Sequence, residues 1–240
     1  MPRPRPPTRK PPRQRPDAAE LAESLLGAEI TSLTRGVRDP SRVSVRSDRR
    51  LLCTIDEVTV VRLKLRKGQV IDEALAAQLA RSSELDRLRA AALRRVARSM
   101  CSGRQLAQSL QRRGASKADA AELVADFQRL GLIDDAAFAE AKARALAASG
   151  KSGPRLIEAK LRTAGIAPDL ARAAATRIAG LRDADEDARA FAQRRAESLR
   201  RRKDTTPETA KRRLFAALVR RGFDTATSKR AVEHALGRGR

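Results

Sequence analysis

Three kinds of side chain in this 240-residue sequence could do chemistry: adjacent carboxylates, two thiols and one imidazole, and clustered guanidinium and ammonium groups. Asp134 and Asp135 stand together, as do Asp183, Asp185, Glu186 and Asp187. Such neighbours can ligate a metal or act as an acid and base pair. Both clusters, however, fall where a helix is predicted to start. There an aspartate accepts bonds from orphan backbone N–H groups and opposes the positive end of the helix dipole. The far end of the second of these helices carries Arg200, Arg201, Arg202 and Lys203, as the same dipole favours. Both clusters therefore read as caps. Cys53 and Cys101 lie 48 residues apart, no Cys-x-x-Cys occurs, and His234 is the single histidine. These spacings suit neither a zinc site nor a disulfide framework. No glycine-rich loop ends in Gly-Lys-Ser or Gly-Lys-Thr, so Lys151-Ser152-Gly153-Pro154 reads as a helix entry and not a P-loop. The expectation is a protein with no catalytic residues, no metal and no cofactor.

The cations are different. Fifty-two Lys and Arg against 29 acids leave a net charge of +23, which attracts polyanions and also keeps helix faces solvated. Basic pairs recur near the ends of predicted helices: Arg112 with Arg113, Lys160 with Arg162, and Arg220 with Arg221. Arg194, Arg195 and the run from Arg200 to Lys203 add to them. Single-strand binders usually stack bases on aromatic rings, yet this sequence has no Trp or Tyr and five Phe at core spacings. Contact with phosphates, without sequence readout, is the expected mode.

The elements that must carry these groups are written as a repeat. Arg104, Leu106, Leu110 and Gly114 have the same spacing as Arg155, Ile157, Leu161 and Gly165, and as Arg212, Leu214, Leu218 and Gly222. Each of the three glycines is followed 15 to 17 residues later by another: Gly131, Gly180 and Gly237. Apolar residues four apart share a helical face, and glycine suits the left-handed residue that ends a helix. The unit is helix, Gly, helix, Gly. Copy spacings of 51 and 57 residues leave room for a third helix in each. Ser102 with Gln105 forms a capping box, Ser116 with Asp119 a looser one, and Pro154, Pro168 and Pro207 fall at helix starts. Leu85, Leu88, Leu93, Val96 and Met100 are predicted to form one core stripe, and Leu123, Val124, Phe127 and Leu130 another. A helix-turn-helix is compatible with the unit, but the helices from Lys117 and Pro168 carry few side chains suited to reading bases.

Upstream, residues 1–16 hold seven prolines and six cations with no acid, the composition of a disordered basic tail. No secretory signal is read there, because Glu20 and Glu23 interrupt Leu21, Leu25 and Leu26; a reduced, cytoplasmic location and no membrane contact are expected. Val43 and Val45 alternate with polar residues, Ser47 to Arg49 supply a turn, and Leu51 to Ile55 form a second strand, with Ile30 to Thr34 as a third. A helix from Asp72 to Arg81 follows Gly68. The expected fold is mainly α: tandem three-helix repeats forming an elongated curved array, preceded by a small mixed α/β module with a short antiparallel hairpin. The expected boundaries are a tail over 1–20, the module over 21–82, and repeats over 83–133, 134–182 and 183–240.

Within this frame Gly131-Leu132-Ile133-Asp134-Asp135-Ala136-Ala137-Phe138-Ala139, then Lys151-Ser152-Gly153-Pro154-Arg155, then Leu161-Arg162-Thr163-Ala164-Gly165-Ile166, resemble the RecX family of bacterial recombination regulators. The likeness extends from about Leu85 to Gly237, and Leu65-Arg66-Lys67-Gly68 is similar to the region preceding the repeats in some members. Leu132 stands where an aromatic is frequent, Ala137 where Arg is, and Ala164 where Lys is. The resemblance implies a non-enzymatic modulator that binds the groove of the RecA filament on single-stranded DNA and restrains strand exchange, ATP hydrolysis and co-protease activity. Arg104, Lys151, Arg155 and Arg212 complete the candidate contacts, and a monomer is expected. Double-stranded DNA is left open as a further partner, and a general DNA-binding or architectural protein acting without RecA is the alternative.

Overall fold

The computed structural model describes residues 17–37, 39–150, 152–181, 183–201 and 206–237. The Pro-rich segment 1–16, Lys151, Arg202 and Lys203 lie outside the described residues. Eleven helices and a three-stranded sheet are found among those described. They form two compact units, and the chain passes from one to the other between Ala92 and Leu93.

The first unit begins with α1 (Ala18–Leu25), whose first three residues fall within the 1–20 span expected as tail; Asp17 and Glu20 cap it reciprocally. β1 (Ser32–Arg35), β2 (Arg42–Ser47) and β3 (Arg50–Asp56) form an antiparallel meander, as the alternating valines predict. Val45 faces Cys53 and Arg46 faces Leu51, so Leu52 is an extra, bulged residue and is itself buried. The inner face of the sheet packs with Leu25, Ile30, Ile71, Leu75 and Leu79.

α2 (Glu57–Arg62) starts at Asp56, whose carboxylate accepts the Thr59 N–H at 2.6 Å. The Asp56 N–H is in turn held by the buried Asp86 carboxylate at 2.7 Å. Burial, then the nearby Asp56 charge, push the Asp86 carboxyl above the usual carboxylate range; burial likewise raises the Cys53 thiol to about 12.

α3 (Glu73–Arg98) corrects two expectations. The helix predicted to stop at Arg81 continues to Arg98, nearly five further turns, since no Gly or Pro lies between Gly68 and Gly103. The predicted stripe is not one face either: Leu88 is fully buried, whereas Leu93 and Met100 are exposed. At about 100° per residue, five residues from Leu88 to Leu93 rotate the side chain roughly 140° away.

The second unit contains α4 (Gly103–Gln111), α5 (Lys117–Arg129), α6 (Asp135–Ala148), α7 (Pro154–Thr163), α8 (Pro168–Gly180), α9 (Ala184–Arg200), α10 (Pro207–Arg220) and α11 (Thr225–Gly237). α6, α7 and α8 share one core, α9, α10 and α11 another, and α4 packs on α5. Both capping serines and all three helix-starting prolines are in their predicted places. Gly114, Gly165 and Gly222 are left-handed. The residue after each, Ala115, Ile166 or Phe223, donates its N–H back to Leu110, Leu161 or Leu218 and is buried. This closure turns the chain into the core at the same point in every copy.

Third-helix endings differ from expectation. Gly131 is left-handed and closes α5, but Gly180 and Gly237 are the last residues of α8 and α11, without a positive φ. Leu130, predicted in the core, is the 70%-exposed C-cap of α5, where the chain is already leaving the helix.

Candidate nucleic-acid interface

The second helix of each triad, α4, α7 or α10, meets the next one end to end. At the first joint Ser102, the N-cap of α4, donates its hydroxyl to the carbonyl of Ala164, the C-cap of α7, at 2.6 Å. At the second, Gly153 occupies the place of Ser102 and Arg221 that of Ala164; the Gly153 N–H donates to the Arg221 carbonyl at 2.7 Å, and the Arg155 N–H to Gly222 at 3.2 Å. Donors at one helix start thus satisfy carbonyls left over at the next helix end, where the positive end of one dipole meets the negative end of the other.

Glycines make the approach possible. A Cβ on Gly165 would lie 2.6 Å from the Cβ of Arg104, and one on Gly153 would lie 2.6 Å from the backbone of Gly222. Asp135 reinforces the first joint. Asp134 caps its own helix by accepting the Ala136 and Ala137 N–H groups, whereas Asp135 reaches across to accept the Gly103 N–H at 2.8 Å. Asp183 caps α9, and Asp185 takes both of its oxygens to Arg230 of α11 at 2.8 and 2.9 Å. The Arg230 hydrogen bonds hold the Asp185 carboxyl below the usual range. All four acids have structural partners, and no group of three or more His, Cys, Asp or Glu among the described residues is placed to hold a metal ion.

Charge is sorted by helix. Counted up to the residue before each closing glycine, α4, α7 and α10 carry eleven cations and two acids, Glu158 and Glu208. The third helices α5, α8 and α11 carry six against five, and α6 and α9 six against six, whereas α3, which precedes α4, carries six against three. From α4 to α11 the excess therefore follows the end-to-end row. Of the candidates named from sequence, Arg104, Arg112, Arg113, Arg155, Lys160, Arg162, Arg212 and Arg220 lie on that row and are exposed. Arg221 is half-buried, its guanidinium 5.0 Å over the Phe191 ring of α9. Arg194, Arg195, Arg200 and Arg201 belong to α9 and its C-cap, outside the row; Arg194 and Arg200 also donate to the carbonyls of Ala190 and Ala235. Lys211 and Arg213 join Arg212 on α10. Their place beside Arg212 in the sequence could have marked them.

The motif residues Leu161, Phe138 and Pro154 hold the middle triad: Leu161 and Phe138 sit in its core, and Pro154 opens α7. No helix among the described residues is long and apolar enough to cross a membrane.

Residues 134–174 match the profile of the second three-helix domain of RecX. The regulatory protein RecX of Thermobifida fusca is 35% identical over 155 residues, covering 62% of this chain and 79% of that protein. That of Geobacillus thermodenitrificans is 28% identical over 116 residues, and the match spans 48% of this chain but only 43% of that longer relative. A crystal structure of regulatory protein RecX has the same fold, with a TM-score of 0.69 at 20% identity over 83% of this chain and 96% of that one.

Proposed function

The chain belongs to the RecX family of regulatory proteins, and from that premise we propose that it modulates the RecA recombinase by binding the RecA filament on single-stranded DNA. In this reading the row of α4, α7 and α10 seats in the filament groove. Exposed arginines on it contact phosphates, and the protein restrains strand exchange, ATP hydrolysis and co-protease activity without chemistry of its own. The sorting of charge carries the proposal: eleven cations and two acids concentrate on three helices joined end to end, while α5, α6, α8, α9 and α11 are balanced. A solubilising charge has no reason to follow one helix of each triad. An extended ligand with regularly spaced negative charge gives it one.

The net charge of +23 also favours a second reading, an architectural DNA-binding protein acting without RecA. RecA-dependent ATPase on single-stranded DNA, titrated with this protein, separates the two. Groove binding predicts inhibition well below one copy per RecA monomer, retained when residues 1–16 are deleted. Inhibition that begins only at amounts covering the DNA would reject the RecA reading.

A further inference from the structure

The third triad differs from the others in its second helix. α10 has 14 residues where α4 has nine and α7 has ten, and its extra turn helps to wall a cleft of about 490 Å³ against α11. Phe215 and Val232 supply its apolar surface. Phe215 is only half-buried, and by repeat spacing its counterparts are Glu158 in α7 and Ala107 in α4, so the aromatic is particular to this copy. Lys211, Arg212 and Lys229 line the same cleft, together with the carboxylates of Glu208 and Glu233. No ion pair among the described residues ties up any of these five charges.

We propose that this cleft takes one nucleotide of a single-stranded nucleic acid, its base against the Phe215 ring and its phosphate on Lys211, Arg212 and Lys229. The volume is in the range of small-ligand sites. Three cations against two carboxylates leave a single positive charge, which neutralises the one negative charge of a strand nucleotide and falls short of the several charges of a free nucleoside triphosphate. An apolar ring beside cations is the arrangement by which single strands are held without sequence preference. The proposal rests on the reading of the second helices as a strand-contacting surface and adds a base contact to it.

The test is fluorescence anisotropy at fixed salt with a labelled single-stranded oligonucleotide and an abasic strand of equal length. The intact strand should bind on the order of tenfold more tightly, the size of one base stacked on an aromatic. Phe215→Leu should bring that ratio close to one while leaving abasic binding unchanged. Because the base seats the nucleotide and so places its phosphate on Lys229, Lys229→Glu, on the exposed rim, should weaken the intact strand more than the abasic one, which has no base to seat. Circular dichroism checks that both variants fold; the rim variant stands alone if Phe215→Leu does not. Equal binding of the two strands by the unaltered protein, or a ratio that survives the variants, overturns the cleft and leaves the phosphate surface standing. Failure to bind either strand overturns both. Displacement of the oligonucleotide by micromolar ATP would assign the cleft to a free nucleotide and overturn the proposal.

Discussion

Gly153 and Gly222 touch backbone to backbone: a methyl on Gly153 would lie 2.6 Å from the Gly222 carbonyl, and one on Gly222 would lie 2.1 Å from the Leu156 nitrogen. The start of α7 and the end of α10 can meet only where neither residue has a side chain. Gly222, at φ 82°, is left-handed as well. The repeat glycine therefore has two tasks, ending its own helix and admitting the next.

A glycine series separates these tasks. Gly222→Ala should cost well over the ~1 kcal/mol typical of a point substitution, because strain and a backbone clash combine. Gly131→Ala, left-handed but in open space, should cost about 1 kcal/mol. Gly180→Ala, neither left-handed nor crowded and at a helix end, should stabilise by roughly 0.4–1 kcal/mol. Urea denaturation gives the order, and equal losses at Gly222 and Gly131 would show that the joint contributes nothing.

Ser228 is fully buried in α11, and its hydroxyl has no hydrogen-bond partner among the described residues. Repeat spacing places Ala171 of α8 and Ala120 of α5 at the same position, both fully buried. Ser228→Ala should stabilise the protein by about 1 kcal/mol, the cost of the unsatisfied hydroxyl. A loss of stability on thermal or urea unfolding would mean that the hydroxyl is satisfied in solution.

Asp86 makes a pH prediction. Its folded carboxyl is raised above its unfolded value, so the folded protein binds the proton more readily and stability is lost as pH rises through the folded pKa. Asp86→Asn keeps an oxygen for the Asp56 N–H and should be more stable than the parent near pH 7, with the gap closing on acidification. Asp86→Ala removes that acceptor and should destabilise by ~1–3 kcal/mol. A pH-independent difference between parent and Asp86→Asn on urea denaturation would reject the assignment.

DNA binding should follow the sorting of charge. A protein with ~6–10 phosphate contacts loses about 10³- to 10⁵-fold in affinity between ~50 and ~200 mM salt. Replacing Arg112, Arg155, Arg162 and Arg212 by Ala should weaken binding equally for all sequences and flatten the salt dependence. The corresponding change at Arg194, Arg195, Arg200 and Arg201 on α9 should do less. If the α9 set has the larger effect, the end-to-end row is not the contact surface.

Helix starts, the ends of the second helices and the hairpin were legible because they are local: a capping serine, a proline in the first turn or a glycine after the last acts on backbone groups within a few residues. The repeat was legible for the same reason, since every copy ends its second helix with the same left-handed closure. Packing was less so. α6 and α9 bury Ala139, Ala143 and Ala147, and Ala188, Ala192 and Ala196, a spacing that a search for large apolar residues passes over. Leu93, Met100 and Leu130 show the reverse error, since size marked them as core and position left them exposed. Only the tertiary structure decided that Asp135 would hold the amide of Gly103, that Gly153 would lie on Gly222, and that the basic second helices would align end to end. Each of these joins residues 32 or more positions apart. The identities of such residues state what each can bond or admit, and the packing of neighbouring triads selects the partner.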